Sequence, residues 1–370
     1  MDEFYMERAL RLAEKGVGMV NPNPMVGAVI VKDNKIIGEG FHEEYGKNHA
    51  ERNAVENSEC NLEGATIYVT LEPCAHYGKT PPCVDLIIEK KFKRVVVGML
   101  DPNPLVAGKS IEKLRSNNIE VKVGVKEKEC RKLNEVFLKY ITTKIPFVIM
   151  KAGISLDGKI ATCSGHSQWI TSEKSRLHSH ELRRRMSGIM VGVNTVLCDD
   201  PSLTYRGEER GKNPVRIIID SNLRVSIESK IIKNNNGNTI VACVKDSNRE
   251  KKDELENLGV KVIETESLHG RVNLKDLMIK LGQENIDSIL IEGGGTLNFS
   301  ALKEGIVDKV RFYIAPKIIG GEKSRNSVGG EGFSTLDQCV NLTNITYEQI
   351  GDEIVAEGYV LKERLTCLQE

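Results

Sequence analysis

Two short stretches hold the residue types for hydrolytic chemistry on an amino-substituted ring. They are His49-Ala50-Glu51 and the run that begins Pro73-Cys74 and ends Pro82-Cys83. One imidazole and two thiolates can hold a zinc ion with its fourth position open, and Glu51 is left over as a general acid and base. Such a metal acidifies water, which then attacks an amidine-like carbon and displaces ammonia. Two thiolates already neutralise the ion and so acidify its water less than three imidazoles would, unless the positive ends of nearby helices compensate. Helices are expected over 50–57 and 84–90, directly after His49 and Cys83. Positions two apart on a regular helix point about 200° apart, so His49 and Glu51 converge only at a helix start.

The alternative is a closed structural site. That would ask for four protein ligands in two tight pairs, whereas eight residues separate Cys74 from Cys83 and no fourth ligand stands nearby. The pattern is that of a zinc deaminase with unusually wide cysteine spacing. Asn21-Pro22-Asn23-Pro24-Met25-Val26-Gly27, His49-Ala50-Glu51 and Pro73 to Cys83 together resemble the deaminase half of the bifunctional riboflavin-biosynthesis deaminase/reductases. That resemblance implies substrate contacts at Asn23, His42, His76, Lys79, Asp101 and Asn103, with Lys79 as a point charge for a phosphate. Asn23 and Asn103 also precede prolines and can be plain turn formers.

The elements that must position these residues follow from periodicity. A helix over 4–15 with Met6, Ala9, Leu10 and Ala13 on one face precedes a hairpin of 25–31 and 36–41. Strands are expected at 66–71, 94–99 and 120–125, and one charged helix at 126–140 closes a domain read as a cytidine-deaminase-like α/β/α sandwich. Pro146 ends a short polar link, which sets boundaries at 1–143 and 147–370.

The second domain is again α/β, with strands at 147–154, 188–193 and 215–220. Its most specific stretch is Ile289-Leu290-Ile291-Glu292-Gly293-Gly294-Gly295-Thr296, an apolar strand running into glycines and a helix. Backbone N–H groups there suit a dinucleotide diphosphate, although no acidic ribose ligand follows at the spacing of the Rossmann fingerprint. Lys151, Ser155 to Lys159, Ser167 to Thr171, Asp199-Asp200-Pro201 and Glu292 to Thr296 are similar to the reductase half of the same family. The resemblance covers about 4–362 and implies a dihydrofolate-reductase-like fold that uses NADPH. It places Lys151, Gly153, Trp169, Thr195, Asp199, Ser221, Gly294, Gly295, Thr296, Leu297, Asn298, Phe299 and Ser300 at the cofactor, and Ser167, Arg183, Leu203, Arg206 and Glu292 at the substrate. Trp169 has a core residue as its alternative reading, against which stand its polar neighbours Ser167, Gln168 and Thr171; Asp199-Asp200 can be a turn, and the neighbours of Arg183 a solvated helix face.

The reaction so implied is deamination of a diaminopyrimidinone ribosyl phosphate, followed by reduction of its ribosyl carbon, with Lys151 or Asp199 assisting proton transfer. Composition bounds the alternatives. Lys+Arg and Asp+Glu each number 52 in 370 residues, which leaves no basic excess for a tRNA or DNA deaminase. A non-catalytic zinc regulator would have no use for Glu51. The N-terminus lacks a basic, then apolar, leader, so a cytoplasmic protein acting on small molecules, away from nucleic acid and membrane, is expected. The family suggests a dimer or tetramer. Apart from Cys74 and Cys83, the nine cysteines are scattered, and most are expected to be small, reduced core residues.

Overall fold

The computed structural model of the chain describes residues 1–75, 77, 81–103 and 107–362. It divides into two compact units, Met1–Lys144 and Ile145–Glu370.

In the first unit α1 (Asp2–Glu14) precedes the hairpin β1 (Gly27–Lys32) and β2 (Lys35–Phe41). There follow α2 (Ala50–Glu56), β3 (Thr66–Leu71), α3 (Cys83–Glu89), β4 (Arg94–Met99), α4 (Lys109–Ser116), β5 (Glu120–Val123), α5 (Glu127–Leu133) and α6 (Glu135–Thr143). The sheet order is β2-β1-β3-β4-β5. β1 lies antiparallel to both neighbours, whereas β3, β4 and β5 are parallel. Val29, Ile30, Ile67, Val69, Val95 and Val97 bury completely and make the core on which α1 packs through Met6 and Ala9. Glycine seats α2, because a Cβ on Gly40 would lie 2.3 Å from Ala54 N and 2.5 Å from Ala50 O. The helix that bears Glu51 can therefore rest directly on β2.

The helix expected over 126–140 is two helices, broken at Asn134. That side chain is buried; its Oδ1 accepts from Met25 N (2.8 Å) and its Nδ2 donates to Met25 O (2.9 Å). It thus pairs the backbone ahead of β1 as a neighbouring strand would, and the kink delivers it there.

The second unit runs β6 (Phe147–Ser155), β7 (Lys159–Ala161), α7 (Glu173–Arg185), β8 (Gly188–Gly192), α8 (Val193–Asp199), β9 (Val215–Ile219), α9 (Lys230–Lys233), β10 (Thr239–Val244) and α10 (Arg249–Asn257). It continues through β11 (Lys261–Thr265), β12 (Ser267–Leu268), β13 (Arg271–Val272), α11 (Leu274–Gln283), β14 (Ser288–Ile291), α12 (Gly295–Lys303), β15 (Lys309–Ala315), β16 (Arg325–Asn326), β17 (Leu342–Ile350) and β18 (Glu353–Val360). The large sheet has the order β11-β10-β9-β8-β14-β6-β15-β18-β17. Its first seven strands are parallel; β18 and β17 run antiparallel. Central parallel strands are covered on both faces and so read as unbroken apolar runs. Ile189-Met190-Val191 and Ile289-Leu290-Ile291 are such runs, and all six residues are buried.

The expectation that most scattered cysteines are core residues is corrected. Cys130 and Cys243 are buried, but Cys60, Cys163 and Cys198 are exposed and Cys339 is partly so. The exposed ones sit in loops or at the end of α8, outside the apolar strands and helix faces that make the core. Cys367 lies outside the described residues. Among the described residues, no helix is long and apolar enough to cross a membrane.

Candidate active sites

His49 occupies the N-cap of α2 with extended backbone (φ −73°, ψ 162°). It has left the helical screw that would point it away from Glu51. Cys74 follows the C-terminal end of β3, and Cys83 opens α3. His49 Nδ1 lies 3.5 Å from Cys74 Sγ and 3.4 Å from Cys83 Sγ. Tetrahedral zinc with standard Zn–S and Zn–N bonds spaces such ligand atoms about 3.6 Å apart. The three atoms thus fit the corner spacing of a zinc site, and all lie within 4.8 Å of one another. The Cys83 N–H donates to Cys74 Sγ at 3.2 Å. A hydrogen bond from the Cys83 thiol, the His49 ring and this amide bring Cys74 down to about 4, so that it is a thiolate. Glu51 is buried beside them, and burial pushes its carboxyl upward.

Asn23 and His42 stand against this group. His42 Nδ1 is 2.9 Å from Asn48 O and its Nε2 is 3.2 Å from Asn23 Nδ2. The carbonyl requires the proton on Nδ1, so Nε2 accepts from the Asn23 amide. Burial lowers the His42 pKa, in keeping with that neutral form. The His42 and His49 rings meet edge-on at 5.6 Å.

Asp101 and Asn103 lie beyond the C-terminal end of β4, where Asp101 Oδ1 accepts from Asn103 N at 2.9 Å. Their anchor is Glu72, which sequence reasoning missed. Its buried carboxylate accepts from Asp101 N (3.2 Å), Gly108 N (3.1 Å) and Ser110 Oγ (2.7 Å). The only signal was an acidic residue placed between an apolar strand and Pro73-Cys74. His76 and Lys79 lie outside the described residues.

In the second unit, Ile291 at the end of β14 pairs with Met150 of β6, which brings Glu292, the next residue, to the level of Lys151. Arg183 reaches them from α7. Its Nη2 and Nε contact the Glu292 carboxylate at 2.8 and 3.2 Å, and Nη1 donates to Thr204 O at 3.0 Å. Two residues expected to meet substrate are therefore also partners of each other. Burial opposes the charge on Glu292, yet Arg183 and Lys151 overcome it and hold the carboxyl at about 2. Burial lowers the Lys151 pKa.

The folded-state value for Glu292 lies below that of an unfolded glutamate. Its contribution to stability is complete above about pH 5 and fades as pH falls toward 2. Urea titrations from about pH 7 to pH 3 should therefore show the stability gap between wild type and Glu292→Gln narrowing with acid. A gap independent of pH would contradict the pairing.

Gly293 and Gly294 link β14 to α12, and Gly294 is the N-cap without a side-chain cap. A Cβ on Gly295 would meet Asn326 O at 2.3 Å and Gly329 N at 2.9 Å. Thr195 lies beside Gly294, its Oγ1 3.7 Å from where a Cβ would stand, and Thr296 is exposed. Leu297, Asn298 and Phe299 are buried, Ser300 partly so. Asn298 Nδ2 donates to Ser327 O at 2.8 Å, and Phe299 packs edge-on against Phe333. Leu297, Asn298 and Phe299 thus face the domain interior, and backbone and Thr296 form the surface of the turn.

Ser167 and Trp169 lie on the loop before α7. Lys317 Nζ donates to Trp169 O (2.9 Å) and Ile170 O (2.7 Å), Glu353 accepts from Ser172 N and Oγ, and the Arg176 guanidinium covers the Trp169 ring at 4.3 Å. Trp169 is 61% exposed, which removes the core reading. Thr171 reaches Gly153, with its Cγ2 3.2 Å from where a Cβ would stand. Leu203 packs among Ile189, Val191 and Ile218, Arg206 is exposed and bonds Thr204 Oγ1 at 3.3 Å, and Asp199 is exposed at the end of α8. Ser221 follows β9, where its Oγ accepts from Val272 N at 3.1 Å.

Comparison with known proteins agrees with both halves. Residues 1–99 match the cytidine and deoxycytidylate deaminase zinc-binding region, and residues 146–356 match the RibD C-terminal domain. The molecule is a bifunctional enzyme, a zinc-dependent deaminase joined to an NADPH-dependent reductase. It is 48% identical to riboflavin biosynthesis protein RibD of Actinobacillus pleuropneumoniae, over 97% of this chain and 96% of that one. Identity to the RibD of Aquifex aeolicus is 45%, over 96% and 97%. Acinetobacter baumannii RibD superposes with a TM-score of 0.87 at 36% identity, covering 97% of this chain and 99% of that one. The diaminohydroxyphosphoribosylaminopyrimidine deaminase/5-amino-6-(5-phosphoribosylamino)uracil reductase of Thermotoga maritima gives 0.83 at 39%, with the same coverage. The chain belongs to the RibD family of riboflavin biosynthesis.

Proposed function

We propose that the first unit deaminates a diaminopyrimidinone ribosyl 5′-phosphate and that the second reduces the ribosyl side chain of the resulting aminouracil. The observation that carries the first step is the His49, Cys74 and Cys83 triangle with Glu51 buried beside it. When bound, zinc supplies a Lewis acid that acidifies water, and NADPH supplies a hydride. His49, Cys74 and Cys83 hold the metal. Glu51 takes one proton from the attacking water and gives it to the ring nitrogen; once the C–O bond has formed it moves the remaining hydroxyl proton to the amine, so that the C–N bond breaks, a carbonyl forms and ammonia leaves. The Asn23 and His42 pair, with Asp101 and Asn103, orients the pyrimidine and ribose; His76 and Lys79 complete that assignment.

In the second unit the backbone amides of Gly294 and Gly295, with Thr296 and Thr195, hold the dinucleotide diphosphate. Gly153 and Trp169 flank its nicotinamide, and Ser221 meets its adenosine. Arg183, Glu292, Ser167 and Arg206 bind the sugar phosphate, Leu203 shapes the wall behind them, and Lys151 delivers a proton as the hydride arrives. Asp199 is the alternative donor; its exposure on α8 favours Lys151. An NADPH-dependent reductase acting on a small phosphorylated substrate fits a cytoplasmic enzyme. Exposed Ile345 and Tyr347 on the edge strand β17 support a homo-oligomer.

Mass spectrometry of the diaminopyrimidine phosphate, incubated with zinc-loaded protein, tests both steps. Amine should become carbonyl without NADPH, and two further hydrogens should appear only with it. No change in either tube would remove this substrate.

A further inference from the structure

Four neighbouring parallel strands, in the order β6, β14, β8, β9, end along one edge of the large sheet. Met150, Ile291, Met190 and Ile217 stand at one level across them. Three strand spacings make about 14 Å, a distance an extended dinucleotide can cover. The residues assigned to the cofactor fall in sequence along that edge: Gly153 on β6, the glycine turn after β14, Thr195 after β8 and Ser221 after β9. The hydride-donating ring must lie at the β6 end, where Lys151, Arg183 and Glu292 converge. The adenosine is then left at the β9 end.

The turn after β9 is built around Asp220, which is fully buried. Its Oδ2 accepts from Val225 N at 2.7 Å, and its carbonyl accepts from Leu223 N at 3.2 Å. That closure carries Ser221 and Arg224. The Ser221 oxygen is used as an acceptor by Val272 N, so its own proton is available to a ligand. Arg224 is about half exposed, its Nη2 donates to Asn194 Oδ1 at 3.0 Å and its Nε stands 4.0 Å from Asp220 Oδ1. Asn194 adjoins Thr195 at the start of α8. The guanidinium thus leans over the adenosine end with N–H donors to spare. Lys245, after β10, is already engaged by Glu266.

Sites selective for NAD present a free carboxylate to the two ribose hydroxyls, whereas an arginine there accommodates a 2′-phosphate. Here the nearby carboxylate is buried inside the turn, and the side chain presented outward is an arginine. We propose that Arg224 binds the 2′-phosphate of the dinucleotide and thereby sets the preference for NADPH over NADH. This rests on the cofactor placement given under the proposed function.

The test is calorimetric binding of NADP+, NAD+ and 2′,5′-ADP to the full-length chain. Wild type should favour NADP+. Arg224→Gln should weaken NADP+ and 2′,5′-ADP by about tenfold to a hundredfold while leaving NAD+ nearly unchanged, and Arg224→Lys should recover part of the loss. If wild type discriminates and the glutamine variant discriminates equally well, Arg224 is a solvated surface arginine and the proposal fails alone. Equal weakening of both dinucleotides would mean that Arg224 only shapes the turn, which also overturns it. A wild type that does not distinguish the two dinucleotides would overturn the preference and with it the proposal, whereas a wild type that binds neither would overturn the underlying cofactor placement as well.

Discussion

Glu51→Ala protein should retain its zinc and its NADPH-dependent reduction of aminouracil substrate, and lose deamination by a factor of about 10² to 10⁴. The expectation follows from where the backbone places the side chain. His49 is outside the helix and Glu51 is in its first turn, so the imidazole and carboxylate converge although a continuous helix would part them. The carboxylate is absent from the metal-ligand triangle and yet is buried against it, a position that costs stability and that the chemistry of the site accounts for. Metal content by mass spectrometry, ammonia release and hydride consumption measured on one preparation would decide the matter. Loss of zinc would make Glu51 a structural partner of the site, and loss of reduction would contradict a division of labour between two units.

The metal triangle and the glycine turn were legible because each is local. A ligand beside its helix start, or glycines between an apolar strand and a helix, are fixed by a few neighbouring residues and by backbone geometry. Unbroken apolar strands were legible for the same reason, and their ends fell within a residue or two of those expected. The unread features depend on partners distant in sequence. Asn134 breaks a helix to pair with Met25, and no pattern within 126–140 records that the backbone ahead of β1 needs a partner there.

Arg183 and Glu292 were each assigned to substrate by the family resemblance, which carries no information on contacts between them. The fold also pairs one with the other, so that Arg183 acts from within an ion pair. Glu72 went unread because its three donors come from a loop and a helix start beyond the next strand. The exposed cysteines share this cause, since composition predicts burial only on average and says nothing of which loop a residue ends in.

The same long-range logic makes Gly295→Ala the most damaging small change to the reductase. Alanine is the better helix former, and at the first position of an ordinary helix it should stabilise. At this position the added methyl would lie 2.3 Å from Asn326 O and 2.9 Å from Gly329 N, both backbone atoms that cannot swing aside as a side chain can. The 326–329 segment or the start of α12 must therefore shift. Gly329 N also donates to Gly295 O at 3.0 Å, so displacement disturbs the hydrogen bond that ties the two together. Misalignment of the N–H groups by even a fraction of an ångström weakens their hold on a diphosphate, so NADPH affinity should fall by at least about tenfold. Deamination of the pyrimidine phosphate, measured on the same protein, should be unchanged. Unaltered NADPH binding would move the diphosphate away from this turn, and with it the order of cofactor contacts along the sheet edge on which Arg224 was assigned.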